Sequence, residues 1–198
     1  MQSFDESGFG SMREYASGRA AMSSAVKLKI SIEPAAELWL AVQTRYRFEK
    51  KVAEQLTNKG MQVFLPLRKE NRSWGDRKKE VLVPLFPGYV FVRSDRSVLH
   101  RLIVLQAPGV MGFVSSAGTA AMIPQKQVDD LQLLMSGEVP LSLHLFANTG
   151  QRARIRGGRL DGVEGLLEKR DKGKLLIPIE SIQRSVAIDI QSYELEVI

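Results

Sequence analysis

Residues 68–80, "RKENRSWGDRKKE", set six basic and three acidic side chains around a single tryptophan, Trp74. Lysine and arginine neutralise phosphates and an aromatic ring stacks on an unpaired base, so Arg72, Trp74, Arg77, Lys78 and Lys79 are candidate nucleic-acid contacts. The competing reading is a solvated, charged hairpin tip with Trp74 packed on its own strands. A second basic cluster, "TRYRFEKK" (44–51), carries Arg45 and Arg47 at the corner between a strand and a helix. Other chemistries find little support. Cysteine is absent and only His100 and His144 are present, which excludes disulfides and thiolate sites and argues against a multi-histidine metal centre. With no phosphate-cradling glycine loop, nucleophile motif or acid/base pair, an enzyme is the least favoured class, and no cofactor or metal is expected.

The elements that must hold these clusters can be read from periodicity. "LWLAVQT" (38–44) is a buried strand by composition, and in "RFEKKVAEQLTNKG" (47–60) Phe48, Val52 and Leu56 recur four apart with Ala53 beside them. Glu49, Lys50, Lys51, Glu54 and Gln55 then take the outer face of that helix. "MQVFLPLRK" and "KEVLVPLF" flank the charged insert, whose Gly75-Asp76 pair marks a turn. "PLFPGYVFVRSD" (84–95) follows: Pro84, Pro87 and Gly88 break the chain before a strand-prone run. Alternation puts Tyr89 and Phe91 on one sheet face and Val90 and Val92 on the other. A short helix around 97–104 has Val98, Leu99 and Leu102 apolar; "GVMGFVSS" (109–116) is a strand. Pro124 opens a last helix with Val128, Leu131, Leu134 and Met135 at helical spacing. The order predicts an α+β domain over 38–136, a ferredoxin-like antiparallel sheet with helices on a face.

Residues 1–37 are rich in Ser, Gly and Ala without periodicity, which predicts a disordered tail, with Met12 and Met22 as candidate start sites. Residues 137–149 read as a linker with extended pieces. From 150 to 198, five short strand-like runs separated by Gly, Asp and Lys predict a small curled β-barrel, marginal in stability by itself. No apolar run approaches the roughly 18 residues needed to span a bilayer, so no membrane partner is expected. The net charge of +6 favours a polyanionic neighbour, and the lack of cysteine fits the cytoplasm.

In sequence order, "WLAVQT…FEKKVAEQL…FLPL…VPLFPGYVFV…LQAPGVMGFV…IP…V" resembles the N-terminal (NGN) domain of the NusG family of transcription elongation factors. The ending "GQRARIRGGRLDGVEGLLEKR" resembles the family's KOW motif, and "FLPL…RSW…LFPGYVFV" is most similar to the specialised RfaH and UpxY paralogues. The resemblance implies a monomeric, non-enzymatic factor whose NGN domain docks on the clamp helices of the largest RNA polymerase subunit. There it lies across the cleft, beside the DNA of the transcription bubble, and suppresses pausing or termination. By the same resemblance the KOW barrel, an SH3-like fold, reaches a second partner, ribosomal protein NusE or the termination factor Rho. Phe86, Pro87 and Tyr89 at the "LFPGY" corner would be polymerase contacts, unless Phe86 and Tyr89 fill the core. His100 is the one residue of "HRLI" that matches the His-Thr-Thr-Thr run with which RfaH touches a polymerase gate loop. Arg45 and Arg47 would face non-template DNA. In the KOW region Leu160 and Val163 stand for larger aromatics, Ile182 for a phenylalanine, and Arg184 matches an arginine; these four would form the partner surface. RfaH refolds this domain between a helical hairpin and a barrel, but the β-branched content of "LLIPIESIQRSVAIDI" and Pro178 oppose a long helix here. The reading from another class is an RNA-binding or ribosome-associated KOW protein that does not engage polymerase.

Overall fold

The computed structural model describes residues 37–198 apart from 75–76, 117, 138 and 169–172; the tail expected before Glu37 lies outside the described residues. The N-terminal half is built on a five-stranded antiparallel sheet. Its strands are β1 (Leu38–Thr44), β2 (Val63–Phe64), β5 (Tyr89–Ser94), β6 (Val110–Phe113) and β9 (Met122–Ile123), ordered β2-β5-β1-β6 with β9 also on β1. Between β2 and β5 a separate hairpin, β3 (Leu67–Trp74) and β4 (Arg77–Pro84), projects, and β7 (Ser115–Ser116) and β8 (Thr119–Ala120) form a smaller one. Helices α1 (Glu49–Asn58), α2 (Val98–Leu105) and α3 (Gln125–Ser136) complete this half.

Alternation along β5 works as its sequence implies, with one difference in what covers it. Val90 and Val92, with Val42 of β1, pack against Val52 and Leu56 of α1 and Val104 of α2. Phe91, with Trp39 and Ala41 of β1, faces the opposite side, against Val128, Leu131 and Leu134 of α3. The sheet is therefore covered on both faces, which is why β5 reads as an unbroken apolar run. Trp39 donates its indole N–H to Gln125 Oε1 at 2.9 Å, giving a buried polar group its partner at the start of α3.

Two local expectations, in helix α2 and at Glu49, are corrected, and one is met: the charged insert is a hairpin, strand almost to its tip, with β3 and β4 in register from Leu67↔Pro84 to Trp74↔Arg77. Along β3, Arg68, Glu70 and Arg72 share one face and Glu70 bridges both arginines at 2.7 and 2.9 Å, while Lys69 reaches across to Glu80 of β4 at 3.6 Å. Helix α2 turns Ile103 and Val104 inward and leaves Val98 and Leu99 75% and 65% exposed, the reverse of the face its apolar residues suggest. Glu49, assigned to the outer face of α1, is buried.

Among the described residues of the C-terminal half, the regular elements are strands apart from two 3₁₀ turns at Gly158–Leu160 and Glu180–Ile182. Strands β11 (Gln151–Arg156), β12 (Glu164–Leu167), β13 (Lys174–Ile179), β14 (Arg184–Asp189) and β15 (Glu194–Val197) are the five expected. A sixth, β10 (Leu141–Leu145), lies inside the segment expected to be a linker and pairs with β14, giving the order β10-β14-β13-β12-β11-β15. The two halves share one core. Leu160, Val163, Ile177, Ile179 and Ile182 belong to the same buried cluster as Phe91, Phe86 and the inner face of α3.

Glycine is required where β6 begins. Gly109 has φ +100°, and a Cβ there would stand 2.5 Å from Cδ1 of Phe48. Gly109→Ala combines a strained backbone with overpacking, and is expected to cost about 2–4 kcal/mol in urea denaturation.

Candidate functional site

The corner between β1 and α1 is held from two sides. Thr44 N–H donates to Gly88 O and Arg45 N–H to Gly109 O, each at 2.8 Å. Between these anchors the chain turns through Arg47 in the left-handed region, φ +66°, with Phe48 N–H closing back on Arg45 O at 3.0 Å. A side chain other than glycine with positive φ is uncommon, and here it throws the Arg47 guanidinium over the Tyr46 ring, 5.4 Å from its centroid. Arg45, Tyr46 and Arg47 are all exposed.

Glu49 links this corner to the Pro-Gly turn. Its Oε1 accepts from Gly88 N–H at 2.7 Å, and Gly88 itself needs φ +83°. The carboxylate is thus fixed at the first turn of α1, where the helix dipole favours it. Pro84 and Pro87 stiffen the same turn. Around it opens a cleft of about 450 Å³, lined by Tyr46, Arg47, Lys50, Arg68, Glu70, Arg72 and the two prolines among others. Lys50 reaches across to the hairpin, donating to Leu82 O at 2.7 Å. The cleft has a flat aromatic and proline lining with cations at its rim, suited to a planar group that carries phosphate.

The residues read from sequence fall into three groups. Arg45, Arg47 and Arg72 border this cleft or its corner, and Lys79 is exposed opposite Arg72 in the hairpin register. Trp74, Arg77 and Lys78 hold the last backbone pairs of the hairpin; their side chains lie outside the described set. At the "LFPGY" corner Pro87 is exposed and Tyr89 half-buried, but Phe86 is 2% exposed, stacked edge-on against Phe91 at 5.8 Å. Phe86 is therefore a core residue, the second of the two roles its sequence left open. His100 is half-buried on α2, its Nδ1 2.9 Å from Asp95 Oδ1 and its backbone N–H capped by Ser97 Oγ. Hydrogen bonds from Ser97, with the His100 charge adding to them, hold the Asp95 carboxyl below its ordinary value.

The expected KOW surface is mostly covered. Leu160 and Val163 are fully buried and Ile182 nearly so, while Arg184 is exposed. What covers them includes α3. Lys126 donates to Gly162 O at 2.8 Å and Gln127 Nε2 to Pro178 O at 3.1 Å. A cavity of about 420 Å³ is lined from one side by Tyr89 and Val114 and from the other by Ile182, Gln183 and Arg184. The expected polymerase contact and the expected KOW contacts thus face each other.

Sequence reasoning missed Tyr46, Glu49 and Asp130. The signal for Glu49 was its place at the first helical position, directly after a turn. Asp130 is buried beside α3's contact with the barrel, 2.6 Å from Lys126 Nζ. Burial raises its carboxyl above the ordinary value, with the Lys126 partner opposing. Because the folded value is raised, its contribution to stability is present at pH below the unfolded value and is lost as pH rises through the folded one. Asp130→Asn should therefore flatten the decline of Tm from about pH 4 towards neutrality, measured by calorimetry. Glu49→Ala leaves Gly88 N–H without its acceptor and should cost about 1–3 kcal/mol in urea denaturation, whereas Glu49→Gln, which keeps an acceptor oxygen, should cost less.

A family model described as "NusG: Transcription termination factor nusG" matches residues 37–132. The chain is 27% identical over 170 residues to the transcription termination/antitermination protein NusG of Lactococcus lactis subsp. lactis, covering 80% of this chain and 91% of that protein. It is 25% identical over 180 residues to the NusG protein of Staphylococcus carnosus, covering 84% and 99%. A solved structure described as "Domain interaction in Thermotoga maritima NusG" superposes with a TM-score of 0.49 at 24% identity, over 77% of this chain and 93% of that one. The family model and these relatives point to one family, the NusG transcription termination and antitermination factors, which the chain matches over residues 37–132 by the family model and over some four fifths of its length by the relatives.

Proposed function

We propose that this protein is an elongation factor that binds RNA polymerase across its cleft, suppresses pausing or termination, and engages a second partner through its KOW barrel. It acts as a monomer in the cytoplasm. The observation that carries the reading is the cleft beneath the β1–α1 corner, where Arg47, Lys50, Arg68 and Arg72 line a groove with Tyr46 and two prolines, and Arg45 is exposed beside it. Cations along a groove with a stacking surface suit an unpaired strand of the transcription bubble. Pro87 and Tyr89, held rigid by the Glu49–Gly88 bond, supply an aromatic anchor for the clamp helices at low entropic cost. NusE or Rho is the KOW partner in this reading, with Arg184 its accessible contact and Ile182 its buried one.

The arrangement described is closed for that function. Tyr89 and Ile182 line one cavity, so the polymerase and KOW surfaces are used together only after the barrel leaves α3. The reading of the chain as an RNA-binding KOW protein is the weaker one. The arginines of β11 are spent internally: Arg152 and Arg154 pair with Glu164, and Arg154 and Arg156 with Glu196.

In-vitro transcription on a long template with Rho added should give more full-length product in the presence of the protein; unchanged pausing and termination would sink the reading. Arg45→Ala and Lys79→Ala should each lower the salt slope of binding to a bubble template by about one. Gln127→Ala removes one bond between α3 and the barrel, worth about 0.5–1.5 kcal/mol, and should tighten binding to core polymerase by roughly two- to tenfold.

A further inference from the structure

The segment between the two halves is a strand, and its packing is unusual. β10 pairs with β14 over five residues, from Leu141↔Ile188 to Leu145↔Arg184. Residues directly opposite in an antiparallel ladder share a face, so Leu141, Leu143 and Leu145 lie on the same side as Ile188, Val186 and Arg184. Ile188 and Val186 are buried in the core, but burial falls away along β10. Leu141 is partly buried against the core, Leu143 is 39% exposed and Leu145 83% exposed. The far end of β10 is thus held by backbone hydrogen bonds and by one clip, Ala147 N–H donating to Ser185 Oγ at 3.0 Å. By contrast β14 is fixed on its other side by six register pairs with β13, and its Ser185, Val186, Ala187 and Ile188 are buried.

We infer that β10 is an exchangeable strand, and that the edge of β14 is a strand-addition site for an extended segment of a protein partner. Two features define that segment. The sequence "LSLHL" has no acidic, lysine, arginine or proline residue, so the edge accepts an uncharged stretch with apolar residues at alternate positions. At the open end Arg184 is exposed, with no acidic partner among the described residues, and stands opposite Leu145, the worst-buried residue of the strand. A partner carrying a carboxylate at that position would gain a charge-assisted contact that the chain's own strand lacks. Release of β10 would at the same time free five residues, which span up to about 17 Å when extended, for the tether between the halves.

The test uses the full-length protein and a fluorescein-labelled peptide of residues 139–149, in native form and with L145E. A Ser142→Pro/Leu143→Pro variant disables the internal strand, because alternate amides of β10 point at β14 and one donor is lost whichever parity holds. In wild-type protein, the amides of 141–145 that donate to β14 should exchange with deuterium at least tenfold faster than those of 175–177 and 179 by NMR. The peptide should bind the double variant at least tenfold more tightly than wild type by anisotropy. The L145E peptide should bind more tightly again at low salt, with the advantage lost on Arg184→Ala. Exchange of β10 as slow as that of β13, equal peptide binding by both proteins, binding by neither, or no advantage for L145E would overturn the inference. The exchange measurement needs no variant, so a poorly folded double mutant does not decide the outcome.

Discussion

The constraint on which the rest of the structure depends is that β5 and β1 are apolar on both faces. Helices α1 and α2 cover one face with Val52, Leu56 and Val104. The other, with Trp39, Phe91 and Phe86, is too wide for α3 alone, and the C-terminal sheet completes its cover with Ile177, Ile179 and Ile182. A barrel of about fifty residues buries little surface by itself, so sharing a core with α3 supplies apolar burial that it otherwise lacks. The same sharing brings Tyr89 of β5 and Ile182 of the barrel to one cavity.

Polar groups at the shared face decide how firmly it closes. Lys126 and Gln127 donate across it to carbonyl oxygens, and Asp130 is buried behind Lys126. A carboxylate driven out of water favours its neutral form, so the ionised Asp130 works against the closure that its helix otherwise promotes. Elsewhere, single carboxylates each serve more than one arginine. Glu70 serves two arginines of the hairpin and Glu164 two of the barrel, whose pairing with Arg154 holds the Glu164 carboxyl below its ordinary value. Positive charge is in excess in the hairpin sequence 68–80, and Arg45 and Arg47 are exposed at the β1–α1 corner.

Much of this was legible in the chain, and the failures share a cause. Period-four spacing located Val52 and Leu56 correctly, and alternation sorted Val90 and Val92 from Phe91, because each pattern reports a face of a single element. What a pattern does not report is which neighbour arrives at that face. Val98 and Leu99 look like core residues of a helix, yet Ile103 and Val104 of the same helix are the ones that meet the sheet. Glu49 looks solvated, but a turn forty residues away brings Gly88 N–H to it. The linker looked irregular because β10 is only five residues long, and its pairing depends on the edge of β14. The candidate cleft was readable as a set of residues and not as a shape. Tyr46 became part of it only through the left-handed turn at Arg47.

The departures of the barrel from its relatives acquire a physical reason in the same geometry. Leu160 and Val163 occupy positions where the resemblance places larger aromatics, and here neither has any exposure. They lie under the contact between α3 and the barrel, beside the Lys126–Gly162 bond. A close-packed interior resists added volume, so aromatic side chains at both positions would push the barrel from the helix. Small aliphatic residues there are what a barrel needs in order to close on α3. Leu160 and Val163 thus fit the barrel to the core it shares with α3.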